Sequence, residues 1–246
     1  MRRVLKRVRI YGSNLYRPRL IDLWRAARSV SFEPTPILEA LSSAGPSERR
    51  AYSEEFALLL TELIARAGVT VGPESISMAM EREEVALIYS LVRARRPKVV
   101  VETGVASGVS TYFLLHALEK NQRGSLTSFD VSSGAGSLLQ SDERKGWELI
   151  VLNPRASRRE FRERMAARDE AIDLFIHDSD HSYQHQSFEY ATALPHMAPD
   201  GLLASDDVDG CFAFLDFCAQ RDLSPRFLLS PTKAFGIVEL GGLARR

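Results

Sequence analysis

Cysteine is scarce in this sequence: Cys211 and Cys218 are the only two in 246 residues. They stand seven apart in the apolar run CFAFLDFCAQ, which puts both on one face of a helix. Buried free thiols, rather than a disulfide, are expected there. Charge of one sign is also lacking, since 32 basic and 32 acidic residues cancel. Nothing in that balance argues for a nucleic-acid or membrane partner. Long apolar runs are absent too; none approaches the roughly 18 to 20 residues that span a bilayer. The opening MRRVLKRVRI is basic, but neither an apolar core segment nor a small-residue cleavage site follows it. It reads as a solvated arm on a cytoplasmic protein. There is no internal repeat, no low-complexity segment and no GxGxxG dinucleotide fingerprint.

What remains is an ordinary globular composition, 45% hydrophobic and 26% charged, long enough to bury one sizeable core. Residues 1–74 differ in character from the rest. The run SERRAYSEEFALLLTELIARAG predicts a helix capped by Ser47 and ended by Gly68, with Phe56, Leu59, Leu60 and Ile64 at helical spacing. VGPES is a break. SMAMEREEVALIYSLVRARR predicts a second helix that stops before Pro97.

From residue 97 the pattern changes to seven short apolar runs: KVVVETG, SLTSFDV, WELIVLN, IDLFIHD, GLLASDDV, RFLLSP and AFGIVEL. Helices are expected between the first five, near 108–119, 136–146, 158–168 and 183–197. Near-continuous apolar strands alternating with helices predict a parallel sheet covered on both faces. Only a short Pro-Thr-Lys turn separates the last two runs, so the final strand should be antiparallel. The expected fold is a doubly wound, mostly parallel seven-stranded α/β domain (75–246) behind a helical N-terminal extension (1–74). The extension would act as a lid or an oligomer contact.

The stretch FIHDSDHSYQHQSFEY spaces His177, His181 and His185 four apart, which on a single helix would stack three zinc ligands. The strand pattern argues otherwise. IDLFIHD is a strand, SDHS its C-terminal loop and YQHQSFEYATALPHM the next helix, so the three histidines do not share a face. Chemistry in open α/β sheets collects at strand C-termini, where Asp178, Asp180 and His181 fall. DSDHSY also reads as a plain helix start, with Asp180 or Ser182 as N-cap. His177 reads as a packed strand residue and His185 as a helix-face residue or substrate contact. His116 and His196 read as structural.

VVVETGVASGVSTYFLLHAL runs from strand through a glycine turn into a helix. Gly104 allows the sharp turn, and Gly108 lets the helix start approach a ligand without a Cβ in the way. Free amides there suit a polar or anionic group. Glu102 ends the strand with a carboxylate. The same glycines serve strand–helix packing equally well. Asp130, ending the next strand, is placed to accept hydrogen bonds from ribose hydroxyls, or else serves as a turn or capping aspartate.

These stretches resemble a known family. ISMAMEREEVALIYSLVRARRPKVVVETGVASGVST, SFDV, IDLFIHDSDHSY and GLLASDDV together look like class I S-adenosylmethionine-dependent methyltransferases over roughly residues 75–240. Within that class the resemblance is to metal-dependent small-molecule O-methyltransferases, including macrocin-type sugar O-methyltransferases. It implies that Glu102, Gly104 and Ser110 border the cofactor, that Asp130 holds its ribose, and that Met78 and Asp178 line its pocket. Ala106 stands where a second glycine is more usual.

Asp206 and Asp207 end the strand of GLLASDDV, and Asp178 ends the strand before it. Three converging carboxylates repel unless protonated or bound to a cation, and oxygen ligands suit Mg²⁺. The resemblance implies that Asp178, Asp206 and Asp207 hold such a metal, with Asp180 and Asp209 as nearby substitutes. His181, with an ordinary pKa about 6.5, suits a general base; Asp178 would assist it. The expected function is Mg²⁺-assisted O-methylation of a small hydroxylated metabolite, a sugar or other natural-product intermediate, by a homodimer. The alternatives are a metal-independent N- or C-methyltransferase and a non-catalytic nucleotide-binding protein of the same fold. An NAD-dependent oxidoreductase is disfavoured by the missing fingerprint.

Overall fold

The structure is a computed structural model and describes residues 18–66 and 80–241. Met78, Gly68, the VGPES break and the basic opening lie outside the described residues, as does the 74/75 boundary between extension and domain. The chain divides into two compact units, one of residues 34–157 and one combining 1–33 with 158–246.

The discontinuous unit begins with α1 (Leu20–Ala26) and β1 (Ser29–Ser31). β1 pairs in parallel with a strand near the C-terminus, Ser29 opposite Arg226 and Ser31 opposite Leu228. This eighth strand escapes sequence reading because SVS is too short to show a period.

The continuous unit contains α2 (Pro34–Leu41), α3 (Pro46–Arg66), α4 (Arg82–Arg95), β2 (Val99–Thr103), α5 (Val109–Asn121), β3 (Ser125–Asp130) and β4 (Trp147–Val151). Its three strands run parallel in the order β2–β3–β4. α3 starts on Pro46, whose fixed φ suits a first helical position, so Ser47 lies inside the helix rather than capping it. α4 opens on a reciprocal box between Glu81 and Glu84 and closes on Arg96 in the left-handed region, just before Pro97. Phe56 of α3 stacks 4.7 Å from Phe113 of α5, and Tyr89 of α4 meets Phe113 edge-on at 6.4 Å. These rings knit the three helices. Residues 136–146, expected as a helix, form turns instead: Gly136 and Gly146 both take positive φ, 72° and 77°.

The discontinuous unit resumes with α6 (Ser157–Ala166), β5 (Ile172–His177), α7 (Tyr183–Ala193), β6 (Met197–Ser205), α8 (Ala213–Ala219), β7 (Arg226–Leu229) and β8 (Ala234–Glu239). The strand order is β1–β7–β8–β6–β5. β5 and β6 are parallel, with His177 opposite Ser205, and β8 runs antiparallel to both β6 and β7 as expected. Tyr190, Phe214, Phe217 and Phe227 form its aromatic core. Gly236 is required there, because a Cβ would lie 2.5 Å from the Phe214 ring. Cys211 and Cys218 are buried free thiols; Cys211 precedes α8 rather than sharing a helical face with Cys218. Among the described residues no helix is long and apolar enough to cross a membrane.

Candidate functional site

The continuous unit carries the glycine loop. Between β2 and α5 the chain passes through three positive φ values, Gly104 at 81°, Ala106 at 47° and Gly108 at 96°. Ala106 thus occupies a conformation that costs an alanine about 1 to 2 kcal/mol and a glycine almost nothing. Asp130, one residue past Phe129 at the end of β3, holds this turn. Its Oδ2 accepts from the Val105 amide (2.8 Å) and the Ala106 amide (3.0 Å), and its Oδ1 from the Ser132 amide (2.8 Å). The expected turn-aspartate role is therefore present. A carboxylate offers about four acceptor sites, so one on Oδ1 remains for a ligand hydroxyl rather than two.

The close approach at Gly108 is made by the chain itself. A Cβ there would stand 2.9 Å from the Gly136 Cα, and a Cβ on Gly136 would stand 2.4 Å from the Trp147 ring. The Gly136 amide donates to the Ala106 carbonyl at 2.9 Å and the Leu138 amide to the Ser107 carbonyl at 3.0 Å. The 132–139 segment is thus strapped to the glycine loop.

Glu102 is fully buried within β2 and faces three hydroxyls: Ser110 (2.6 Å), Thr111 (2.8 Å) and Ser128 (2.7 Å) all donate to it. Burial raises its pKa, and the three donors pull the other way. Trp147 Nε1 extends the network by donating to Ser128 Oγ at 2.9 Å. Two expected cofactor residues, Glu102 and Ser110, are therefore bonded to each other. Gly104, whose amide donates to the Phe129 carbonyl at 2.9 Å, is the first residue of the loop that follows β2.

The discontinuous unit carries the acidic cluster. β5 and β6 end in register, so Asp178 and Asp206 emerge side by side, and the Asp206 amide donates to the His177 carbonyl at 2.9 Å. One ligand atom each from Asp178, His181 and Asp206 lie within 4.8 Å of one another, a spacing fit for a single ion. His181 Nε2 stands 3.7 Å from both Asp178 Oδ1 and Asp207 Oδ2. Asp207 turns through a φ of 48°, a left-handed value that aspartate tolerates better than most residues. Burial, outweighing the nearby carboxylates, lowers the His181 pKa and favours the neutral ring.

Asp206 is 2% exposed. Its Oδ2 meets the Lys233 ammonium at 2.5 Å, while its Oδ1 is buried with no hydrogen-bond partner. An orphaned carboxylate oxygen inside an Asp–His–Asp triplet fits a divalent cation. The triplet that converges most closely contains His181, with Asp207 reached through His181.

The helix start and the cluster share one loop. Ser182 caps α7 by accepting from the His185 amide, and Asp180 Oδ1 accepts from the Ser182 amide at 2.9 Å, which lowers the Asp180 pKa. Asp209 accepts from the Ala234 amide at 2.8 Å, and its burial raises its pKa. His177 and His185 both meet Glu189 of α7, at 2.6 Å and 2.8 Å, so neither joins His181 in a zinc triad. His116 lies beside Glu119 and Glu143 in the other unit.

Sequence reading missed Glu189 and Lys233. Glu189 follows His185 by one helical turn, a signal that was available. Lys233 sits in the Pro-Thr-Lys turn, and only the antiparallel return of β8 brings it to Asp206.

A family model described as a methyltransferase domain matches residues 101–208, a stretch that spans the glycine loop, Asp130, Asp178, His181, Asp206 and Asp207. No curated protein matches the sequence. Solved structures share the fold. An O-methyltransferase from Bacillus cereus in complex with S-adenosylhomocysteine superposes with a TM-score of 0.55 at 14% identity, covering 85% of this chain and 96% of that one. The O-methyltransferase TomG of Streptomyces achromogenes, involved in tomaymycin synthesis and bound to S-adenosylmethionine, gives the same values. A methyltransferase from Geobacter sulfurreducens gives 0.52 at 15% identity, covering 83% of this chain and 93% of that one. The chain thus has the Rossmann-like methyltransferase fold, and residues 101–208 within it match a methyltransferase-domain model.

Proposed function

We propose that the chain is an O-methyltransferase that moves the methyl group of S-adenosylmethionine to a hydroxyl of a small molecule. The observation that carries this reading is the Asp178–His181–Asp206 cluster, with its orphaned Asp206 Oδ1, at adjacent strand ends of a methyltransferase fold. Two of the fold's relatives are O-methyltransferases by description.

S-adenosylmethionine supplies an electrophilic methyl on a sulfonium centre. The glycine loop would receive the cofactor, its shape held by Asp130, whose remaining Oδ1 acceptor site would take one ribose hydroxyl. Glu102 and Ser110, bonded to each other, would border the methionine end by shaping the loop, and Met78 would line the pocket. Asp178, Asp206 and Asp207 would hold Mg²⁺, whose positive charge lowers the pKa of an acceptor hydroxyl. His181 would then take the proton on Nε2, its ring kept neutral by burial. Mg²⁺ prefers oxygen and leaves the imidazole to this task; a softer ion would draw His181 into its ligand set. Vicinal oxygens, as in sugars, suit such a site, so a natural-product sugar or diol is the proposed acceptor class, and a homodimer acting in the cytoplasm the proposed form.

The test is transfer of a labelled methyl group to a panel of sugars and phenols, with and without chelator. Label on oxygen that disappears with chelator and with Asp206→Ala supports the reading. Activity that survives chelation, or label on nitrogen or carbon, supports the metal-independent alternative.

A further inference from the structure

We propose that Lys233 is a built-in counter-ion of the acidic cluster, neutralising Asp206 when no divalent cation is bound and competing with one for that carboxylate. The inference rests on the reading that the cluster takes a divalent cation, and adds a residue that sets how tightly.

A carboxylate as buried as Asp206 is stable only beside a positive charge or several donors. Its Oδ2 has the Lys233 ammonium at 2.5 Å and its Oδ1 has no hydrogen-bond partner, so the lysine bears much of that task. Lys233 is not a surface lysine that has swung inward: its side chain is 14% exposed, and its backbone is fixed on both sides. Ser230 Oγ accepts from the amides of Thr232 (3.3 Å) and Lys233 (3.0 Å), and the Ser230 amide donates to the Lys233 carbonyl at 3.0 Å. On the other side, the Ala234 amide donates to Asp209 Oδ1 at 2.8 Å and the Val208 amide to the Ala234 carbonyl at 2.9 Å. The turn that bears the lysine is therefore laced to the segment 206–209 that bears the aspartates. A fixed ammonium on one oxygen of Asp206 weakens the pull of that carboxylate on a cation arriving at the other. Removing the ammonium leaves a buried charge that only a cation can then compensate, and a cation that binds the native chain stabilises it by mass action.

The experiment uses the full chain with MnCl₂ and MgCl₂ as the probes, read by calorimetric titration and thermal unfolding, neither of which needs the acceptor. Lys233→Met should unfold at a lower temperature without metal and show a larger Mn²⁺-induced rise in Tm than wild type. It should also bind Mn²⁺ about tenfold more tightly. Lys233→Gln, which keeps a donor to Asp206 without the charge, should shift in the same direction and serves if the methionine variant does not fold. Asp178→Asn should abolish the Mn²⁺ effect in either background. Mn²⁺ affinity that stays within about twofold of wild type, or falls, in both lysine variants would overturn the role of Lys233 while leaving the cation reading intact. An absence of Mn²⁺ and Mg²⁺ binding in wild type and variants alike would sink the cation reading, and this proposal with it.

Discussion

His177 Nδ1 lies 2.6 Å from Glu189 Oε2, and both residues are buried. The same carboxylate takes Ser179 Oγ at 3.0 Å and His185 Nε2 at 2.8 Å. These three side chains flank Asp178 and His181, so Glu189 ties down both ends of the loop that carries them. Burial opposes the charge on Glu189, yet the two histidines together hold its carboxyl well below the ordinary carboxylate range. Replacing it with leucine removes the shared partner of one buried and one half-buried imidazole. Glu189→Leu should cost about 3 kcal/mol or more in urea denaturation, and Glu189→Gln distinctly less.

The Glu189–His185 pair also fixes a pH dependence. Its hydrogen bond to Glu189 raises the His185 pKa above the ordinary 6.5. A raised folded-state pKa contributes stability that is complete below 6.5 and is lost as pH rises through the folded value. Glu189 is shifted the other way, so its contribution is present above 4.5 and lost only as pH falls through its lowered value. The pair therefore stabilises most between the two ordinary values. The stability gap between wild type and His185→Gln should be widest near pH 5.5, about the middle of that window, and narrow above neutrality. A gap that widens with rising pH would contradict the assignment.

Gly108 and Ala106 make opposite predictions within one loop. Gly108→Ala places a Cβ 2.9 Å from the Gly136 Cα at a φ of 96°. It should lower stability by about 2 kcal/mol or more and loosen the strap of 132–139. Ala106→Gly relieves a left-handed alanine at the price of a more flexible unfolded chain, so its Tm should change little or rise slightly. Thermal unfolding of the two variants side by side checks both.

Asp130→Asn tests the turn held by that carboxylate. The variant loses the charge that accepts from the Val105, Ala106 and Ser132 amides. Loss of about 1 to 3 kcal/mol is expected, together with at least tenfold weaker S-adenosylmethionine binding by calorimetry. Unchanged affinity would separate Asp130 from the cofactor altogether.

All seven apolar runs became strands; β4 has no fully buried residue, but the other six are largely buried, and strands buried on both faces leave an unbroken apolar signal. The antiparallel last strand followed from the length of its connection. β1 did not show, since three residues carry no period, and the 136–146 helix was wrongly expected where two glycines take positive φ. Within the site, Asp178, His181 and Asp206 were legible because strand C-termini are where such groups gather. Ser110 and Glu102 were expected to border a cofactor; their hydrogen bond to each other was not legible in the sequence. Lys233 was hidden because its partner lies 27 residues away and meets it only through strand pairing.

The central claim is most directly tested by calorimetric titration of the full chain with S-adenosylmethionine, with NAD as the comparison. Saturable one-site binding of S-adenosylmethionine and no heat with NAD is the predicted result. No heat with S-adenosylmethionine, or binding of NAD in its place, would contradict it.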